Sequence, residues 1–117
     1  MKEINIQRLI QLELSNAGVL TFRNNIGQYK TQEGYIIRYG VGNPGGSDLI
    51  GIVPTVITSD MVNKTIGVFA AIEVKTPTGR PTKEQLNFID VIKSNGGIAG
   101  ICRSPEDALK LICGWRT

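Results

Sequence analysis

The sequence contains no histidine. That absence excludes Ser-His-Asp and Cys-His catalysis, histidine zinc sites and nucleases that use a histidine base. Any chemistry must come from carboxylates, lysine, hydroxyls or a metal held by oxygen ligands. Cysteine is scarce. Cys102 and Cys113 form no C-x-x-C pair, cannot build a zinc site alone, and sit in apolar surroundings that predict buried, reduced thiols. No long hydrophobic run is present either: the longest, around "IGVFAAI", falls far short of the roughly 20 residues of a membrane span. The opening "MKEINIQRLIQ" mixes polar and apolar residues, unlike a signal peptide. These absences predict a soluble, intracellular (cytoplasmic) protein with no membrane partner. A strong charge of one sign is also missing: 13 Lys+Arg against 10 Asp+Glu leave +3, which permits a polyanionic partner without demanding one.

The chain does have enough apolar material for a core, 41% of 117 residues, and that length predicts one domain over residues 1–117. No repeat or low-complexity segment interrupts it. "KEINIQRLIQLELSNAG" predicts an amphipathic helix with Ile6, Leu9, Ile10, Leu14 and Ala17 on its apolar face and Gly18 as its stop. "VLTFRN" and "YIIRYGV" read as strands, "NIGQYKTQEG" as a loop or hairpin tip, and "GNPGG" as a turn. "DLIGIVPTVI" and "KTIGVFAAIEVK" are runs rich in Val and Ile with turn-forming "TSDMVN" between them. They predict a buried hairpin, with Pro54 marking a bulge or an early strand end. "TKEQLNFIDVIKSNGG" is a helix with a capping box of Thr82 and Gln85 and a Gly96-Gly97 stop. "IAGICR" is a strand, and "SPEDALKLIC" a helix with Ser104 at its N-cap and Pro105 at its first turn. The order α-β-β-β-β-α-β-α, with a parallel pair joined across residues 82–102, predicts an α/β protein: a mixed β-sheet flanked by helices on both faces.

Chemistry concentrates at strand ends. Glu73 and Lys75 are two apart on a strand, so both point to one face with Ala71, while Ile72 and Val74 point to the other. Alone, the pair reads as a surface ion pair at a strand end. Asp48 changes the reading, because a hairpin turning near residues 58–65 brings it across from Glu73 and Lys75. Two carboxylates so placed repel each other, and a hard cation relieves the repulsion. Magnesium takes few carboxylates, keeps waters and accepts phosphate oxygens, and the Val74 backbone carbonyl could be a further ligand. Lys75 could orient or deprotonate an attacking water, or offset charge developing on a phosphate. This constellation suits metal-assisted phosphodiester hydrolysis. Arg80 and Lys83 flank the expected mouth of the site and are candidate phosphate contacts, with Arg23, Lys30 and Arg38 extending the basic surface, although a solvated charge is the simpler account of each. Tyr29, Tyr35 and Tyr39 are expected to be strand packing rather than base-stacking platforms. "GNPGGSD" lacks a following GK[ST], so no nucleotide cofactor is expected.

The ordered set "GGSD", "EVK", "GRPTKEQ" and "FIDVIKSNGG" resembles the PD-(D/E)XK nuclease superfamily, and within it the VRR-Nuc (virus-type replication-repair nuclease) branch. The likeness runs from Glu3 to about Leu111. Ser47 stands where the superfamily name has proline. The resemblance implies the restriction-endonuclease-like fold, metal ligation by Asp48 and Glu73, Lys75 as the catalytic lysine, and Gln85 as the helix glutamine near the site. Gln85 has an equal structural reason to be present, as the capping-box partner of Thr82. A first-helix acid that helps hold metal or water is also implied. Glu3, with Gln7 one turn on, fits that place better than Glu13, which helical geometry puts on the apolar side. The implied activity is that of an endodeoxyribonuclease using magnesium or manganese. Stand-alone VRR-Nuc proteins of this length resemble phage proteins, form homodimers and cut branched DNA such as four-way (Holliday) junctions. The alternatives are a flap or nicking nuclease on linear DNA, and a DNA-binding module that kept the fold without activity.

Overall fold

The computed structural model describes residues 2–116 and is built of two compact units, Met1–Val53 and Pro54–Thr117. The first begins with helix α1 (Glu3–Asn16) and continues through strands β1 (Leu20–Arg23), β2 (Gly27–Lys30), β3 (Ile36–Tyr39) and β4 (Leu49–Ile52). The second holds a single 3-10 turn (Ser59–Met61), strand β5 (Ala70–Val74), helix α2 (Lys83–Ser94), strand β6 (Ile98–Cys102) and helix α3 (Pro105–Arg116).

In the first unit, Gly18 ends α1 in the left-handed region (φ 82°) that glycine enters without a Cβ penalty, and the Val19 N–H returns to the Leu14 carbonyl at 2.9 Å. The residues that α1 turns inward are Ile4, Gln7, Gln11 and Leu14, all half-buried. The expected apolar face is largely outward, with Ile6, Leu9 and Ile10 exposed. Apolar periodicity misplaces this face because it gives no weight to glutamines, and Gln11 donates from Nε2 to Thr21 Oγ1 of β1 at 3.4 Å. β1 pairs antiparallel with β4, from Leu20 opposite Ile52 to Arg23 opposite Leu49. β2 pairs antiparallel with β3, from Gly27 opposite Tyr39 to Lys30 opposite Ile36. The segment expected as a loop or hairpin tip is therefore half strand, and only residues 31–35 make the tip. Gly27 lets the Tyr39 ring lie across the ribbon, in the space that a Cβ would take.

In the second unit, β5 and β6 run parallel with α2 between them, as the β-α-β reading predicts, and Ala70 pairs with Ile98 and Val74 with Cys102. Paired residues of neighbouring strands share a face. Gly100 lies against Leu111 of α3 on one face, and Ala71 and Glu73 share a cavity with Gln85, Phe88 and Ile89 of α2 on the other. Helices thus cover both faces of this pair. The deepest residues are Ile92, Ile98, Ala99 and Cys102, with Ile92 fully buried. Cys113 is exposed, contrary to expectation. Two residues beyond Leu111 is roughly 200° around a helix, away from the β6 contact.

The expected hairpin between the Val/Ile-rich runs does not form. β4 takes β1 as its partner and β5 takes β6. Pro54 has no N–H to donate, so pairing stops at Ile52, and Val53, Val56 and Ile57 beyond it are exposed.

Candidate active site

Asp48 enters β4 from the glycine-rich loop, and Asn24 fixes both. The Asn24 side chain accepts from the Val41 N–H and donates to the Val41 and Ser47 carbonyls, each at 2.9 Å. Its own N–H donates to the Asp48 carbonyl at 2.8 Å. Asn43 adds a second clasp, donating to the Gly27 and Tyr39 carbonyls at 2.7 and 2.8 Å. Gly46 is needed here, since a Cβ would collide with the Val41 carbonyl. The Asp48 carboxylate is exposed and borders a polar cavity of about 430 Å³ shared with Gln7, Arg23, Asn24, Asn25, Ile26 and Tyr39. Glu3 lies one turn before Gln7 on the same side of α1. Glu13 is exposed, not buried, about 120° around the helix from Gln7.

In the other unit, Glu73 and Lys75 extend from the same face of β5, as alternation requires, with Lys75 Nζ 3.5 Å from Glu73 Oε1. Their side chains are only 30% and 20% exposed, so this is no loose surface pair. The Lys75 N–H donates to the Cys102 carbonyl at 3.0 Å. Backbone groups alternate sides along a strand, so the Val74 carbonyl turns to the opposite edge of β5. Glu73 borders a cavity of about 250 Å³ with Glu84 and Gln85 of α2. The capping box is real: Gln85 Oε1 accepts from the Thr82 N–H at 2.9 Å, and Thr82 Oγ1 accepts from the Gln85 N–H at 3.1 Å. It occupies the amide oxygen and leaves the two Nε2 donors, so cap and site roles are compatible.

The loop after Lys75 is held by Arg103, whose Nη1 donates to the Thr76 and Gly79 carbonyls, each at 2.6 Å, with the Pro77 carbonyl at 3.4 Å. Arg80 and Lys83 follow that loop and are exposed. Arg38 is exposed on β3, in the other unit from these two. Sequence reasoning missed Asn24, Arg103 and Glu84 and gave Arg23 only a peripheral place. An asparagine that staples a loop some twenty residues away carries no local signal.

A family model, the VRR-NUC domain, matches residues 4–106. The chain belongs to the VRR-NUC domain family. Searches of curated proteins and of solved structures returned no match. A VRR-NUC domain is a nuclease domain with a PD-(D/E)XK-like fold, a DNA substrate and a need for a divalent metal. The match covers Asp48, Glu73, Lys75 and Gln85 and begins one residue after Glu3. Asp48 in the first unit, and Glu73 with the Val74 carbonyl in the second, are each oxygen donors, the chemistry that hard cations such as magnesium and manganese take. Within the described residues no group of three or more acids or thiols is gathered as a metal cage. No helix among the described residues is long and apolar enough to cross a membrane.

Proposed function

We propose that this VRR-NUC domain is one nuclease domain over residues 1–117, working inside the cell as a structure-specific endodeoxyribonuclease that resolves four-way DNA junctions as a homodimer. In this reading the strands, which lie in three two-stranded sheets, belong to a PD-(D/E)XK-like fold, and the protein belongs with phage-type stand-alone nucleases. Asp48, Glu73 and the Val74 carbonyl hold magnesium or manganese, and Glu3 assists through a water. When bound, the metal supplies Lewis-acid polarisation of the scissile phosphate. Lys75 holds the attacking water or offsets phosphate charge, Gln85 orients through its Nε2 donors, and Arg80, Lys83 and Arg38 anchor the DNA backbone.

The observation that carries this reading is the half-buried Glu73–Lys75 pair on one face of β5, beside the free donors of Gln85. An ion pair needed only for solubility would lie in water, and a binding module has no use for carboxylates that repel phosphate. The test is cleavage of labelled linear, flapped and four-way DNAs with and without magnesium, by the natural chain and by Asp48→Asn and Glu73→Gln. Metal-dependent junction cutting, lost in both variants while their melting temperatures hold, supports the reading. Full activity in EDTA, or in either variant, overturns it.

A further inference from the structure

The β2–β3 hairpin is exposed on both faces, which is unusual for a ribbon carrying three tyrosines and two isoleucines. Register and alternation sort its side chains. Tyr29 pairs across from Ile37, and the Tyr35 carbonyl accepts from the Thr31 N–H, which extends the ladder by one step. Tyr29, Tyr35, Ile37 and Tyr39 therefore share one face, and Lys30 and Arg38 belong to the other. The tyrosines are 57%, 70% and 48% exposed, so packing does not account for them. Tyr39 also borders the cavity of Asp48 and Arg23, so the aromatic row is continuous with the pocket of a proposed metal ligand.

We propose that this tyrosine face stacks unpaired bases of the DNA substrate and leads the strand toward Asp48. Tyr29 is the diagonal cross-strand neighbour of both Tyr35 and Tyr39, at about 7–8 Å, so the three side chains follow one another along a single path on that face. Stacking suits any base and needs it unpaired, which matches a chain with no recognisable element for reading sequence in a groove. Arg23, which lines the Asp48 cavity together with Tyr39, places a cation at the end of the tyrosine row where a phosphate of such a strand would lie, while Lys30 and Arg38 are on the other face of the ribbon. Glu33 is the one acid of the ribbon and sits in its turn, away from the Asp48 end. The substrate class that follows is DNA with bases freed at a branch point or flap beside the cut. This inference rests on the nuclease reading for its substrate, and its own test reads binding alone.

The test uses the whole chain carrying Lys75→Ala, with EDTA present to suppress the residual cutting. Fluorescence anisotropy follows a labelled single strand of about 15 nucleotides, the upper range for one small binding fold, and the same backbone with abasic sites in place of bases. Tyr29→Leu and Tyr35→Leu should each weaken binding of the normal strand roughly tenfold, leave the abasic strand unchanged and keep the salt dependence. Tyr29→Phe and Tyr35→Phe should bind as the parent does. Both positions are on an exposed ribbon, and circular dichroism confirms folding. Equal losses on normal and abasic strands, or no loss on either, overturn the proposal. So does conversion of a dimer to a monomer with binding unchanged, which makes the face a contact between copies. A natural chain that cuts no DNA, with base-dependent binding still lost in the leucine variants, defeats the nuclease reading and leaves the stacking surface standing.

Discussion

Lys75 and Glu73 form an ion pair at 3.5 Å in partial shelter, and the two partners should fail differently when removed. Lys75→Ala is expected to lower turnover about 10²-fold, the scale of one electrostatic group acting on the transition state. DNA affinity should barely change, since one phosphate contact among several is a small share; single-turnover kinetics beside anisotropy checks this. Asn24 works at one remove. Asn24→Ala strands the Val41 N–H and two carbonyls of the glycine-rich loop. Three hydrogen bonds to partly wet groups predict a loss of about 1–3 kcal/mol, seen in chemical denaturation. If Asn24 positions Asp48, cleavage should also fall and recover in part at high manganese, a rescue that mere destabilisation would not show. Glu3→Gln should impair cleavage at an unchanged melting temperature. Glu13 is exposed, so Glu13→Gln should alter neither.

Elements supply the second scale, and α2 shows how one residue serves two purposes. Its N-terminus is closed by Thr82 and Gln85 through a reciprocal pair of hydrogen bonds. Thr82→Ala should cost about 1 kcal/mol, the usual value of an N-cap. Gln85→Glu separates the roles, because a carboxylate keeps the oxygen that receives the Thr82 N–H but loses both donors, and an acid is favoured in the first turn of a helix. The expected result is unchanged or slightly raised thermal stability with about tenfold slower cleavage. Equal activity in Gln85→Glu would reduce Gln85 to a cap. The loop after β5 has its own fastener in Arg103, whose guanidinium spans three carbonyls. All three bonds leave one nitrogen, Nη1, so Arg103→Ala should lower both the melting temperature and turnover, whereas Arg103→Lys, whose ammonium offers three donors from one point, should retain part of both.

For the molecule as a whole, the net charge of +3 is too modest for tight binding by charge alone. In the proposed reading, shape and stacking are the means of selection. A two-fold dimer presents two active sites that match the symmetry of a four-way junction. Sedimentation should therefore give about twice the chain mass of 12.7 kDa. Junctions should yield paired nicks on opposing strands, and a mixed dimer with one Lys75→Ala subunit should leave a single nick. A monomer at micromolar concentration that digests plain duplex as fast as a junction would refute this and favour the linear-DNA alternative.

The local patterns were legible in the sequence wherever a short-range rule governs them. Thr82 and Gln85 announce a capped helix because capping is decided within four residues. Glu73 and Lys75 share a face because side chains alternate along any strand. The absence of histidine and the order of motifs pointed to oxygen-ligand metal chemistry before any coordinates. Strand partners were another matter. Two Val/Ile-rich runs joined by a turn-like segment look like a hairpin from within, yet β4 pairs with β1 and β5 with β6. Partner choice is a competition among distant segments, and local composition does not record which distant segment wins. The inward face of α1 was misread for a related reason: apolar periodicity counts Ile6, Leu9 and Ile10, whereas a hydrogen bond to Thr21 helps turn Gln11 inward. The tyrosines of the hairpin read as packing because strand tyrosines usually have a sheet or helix over them. Only the tertiary arrangement, which leaves that ribbon exposed, puts them in water, with Tyr39 beside the pocket of Asp48.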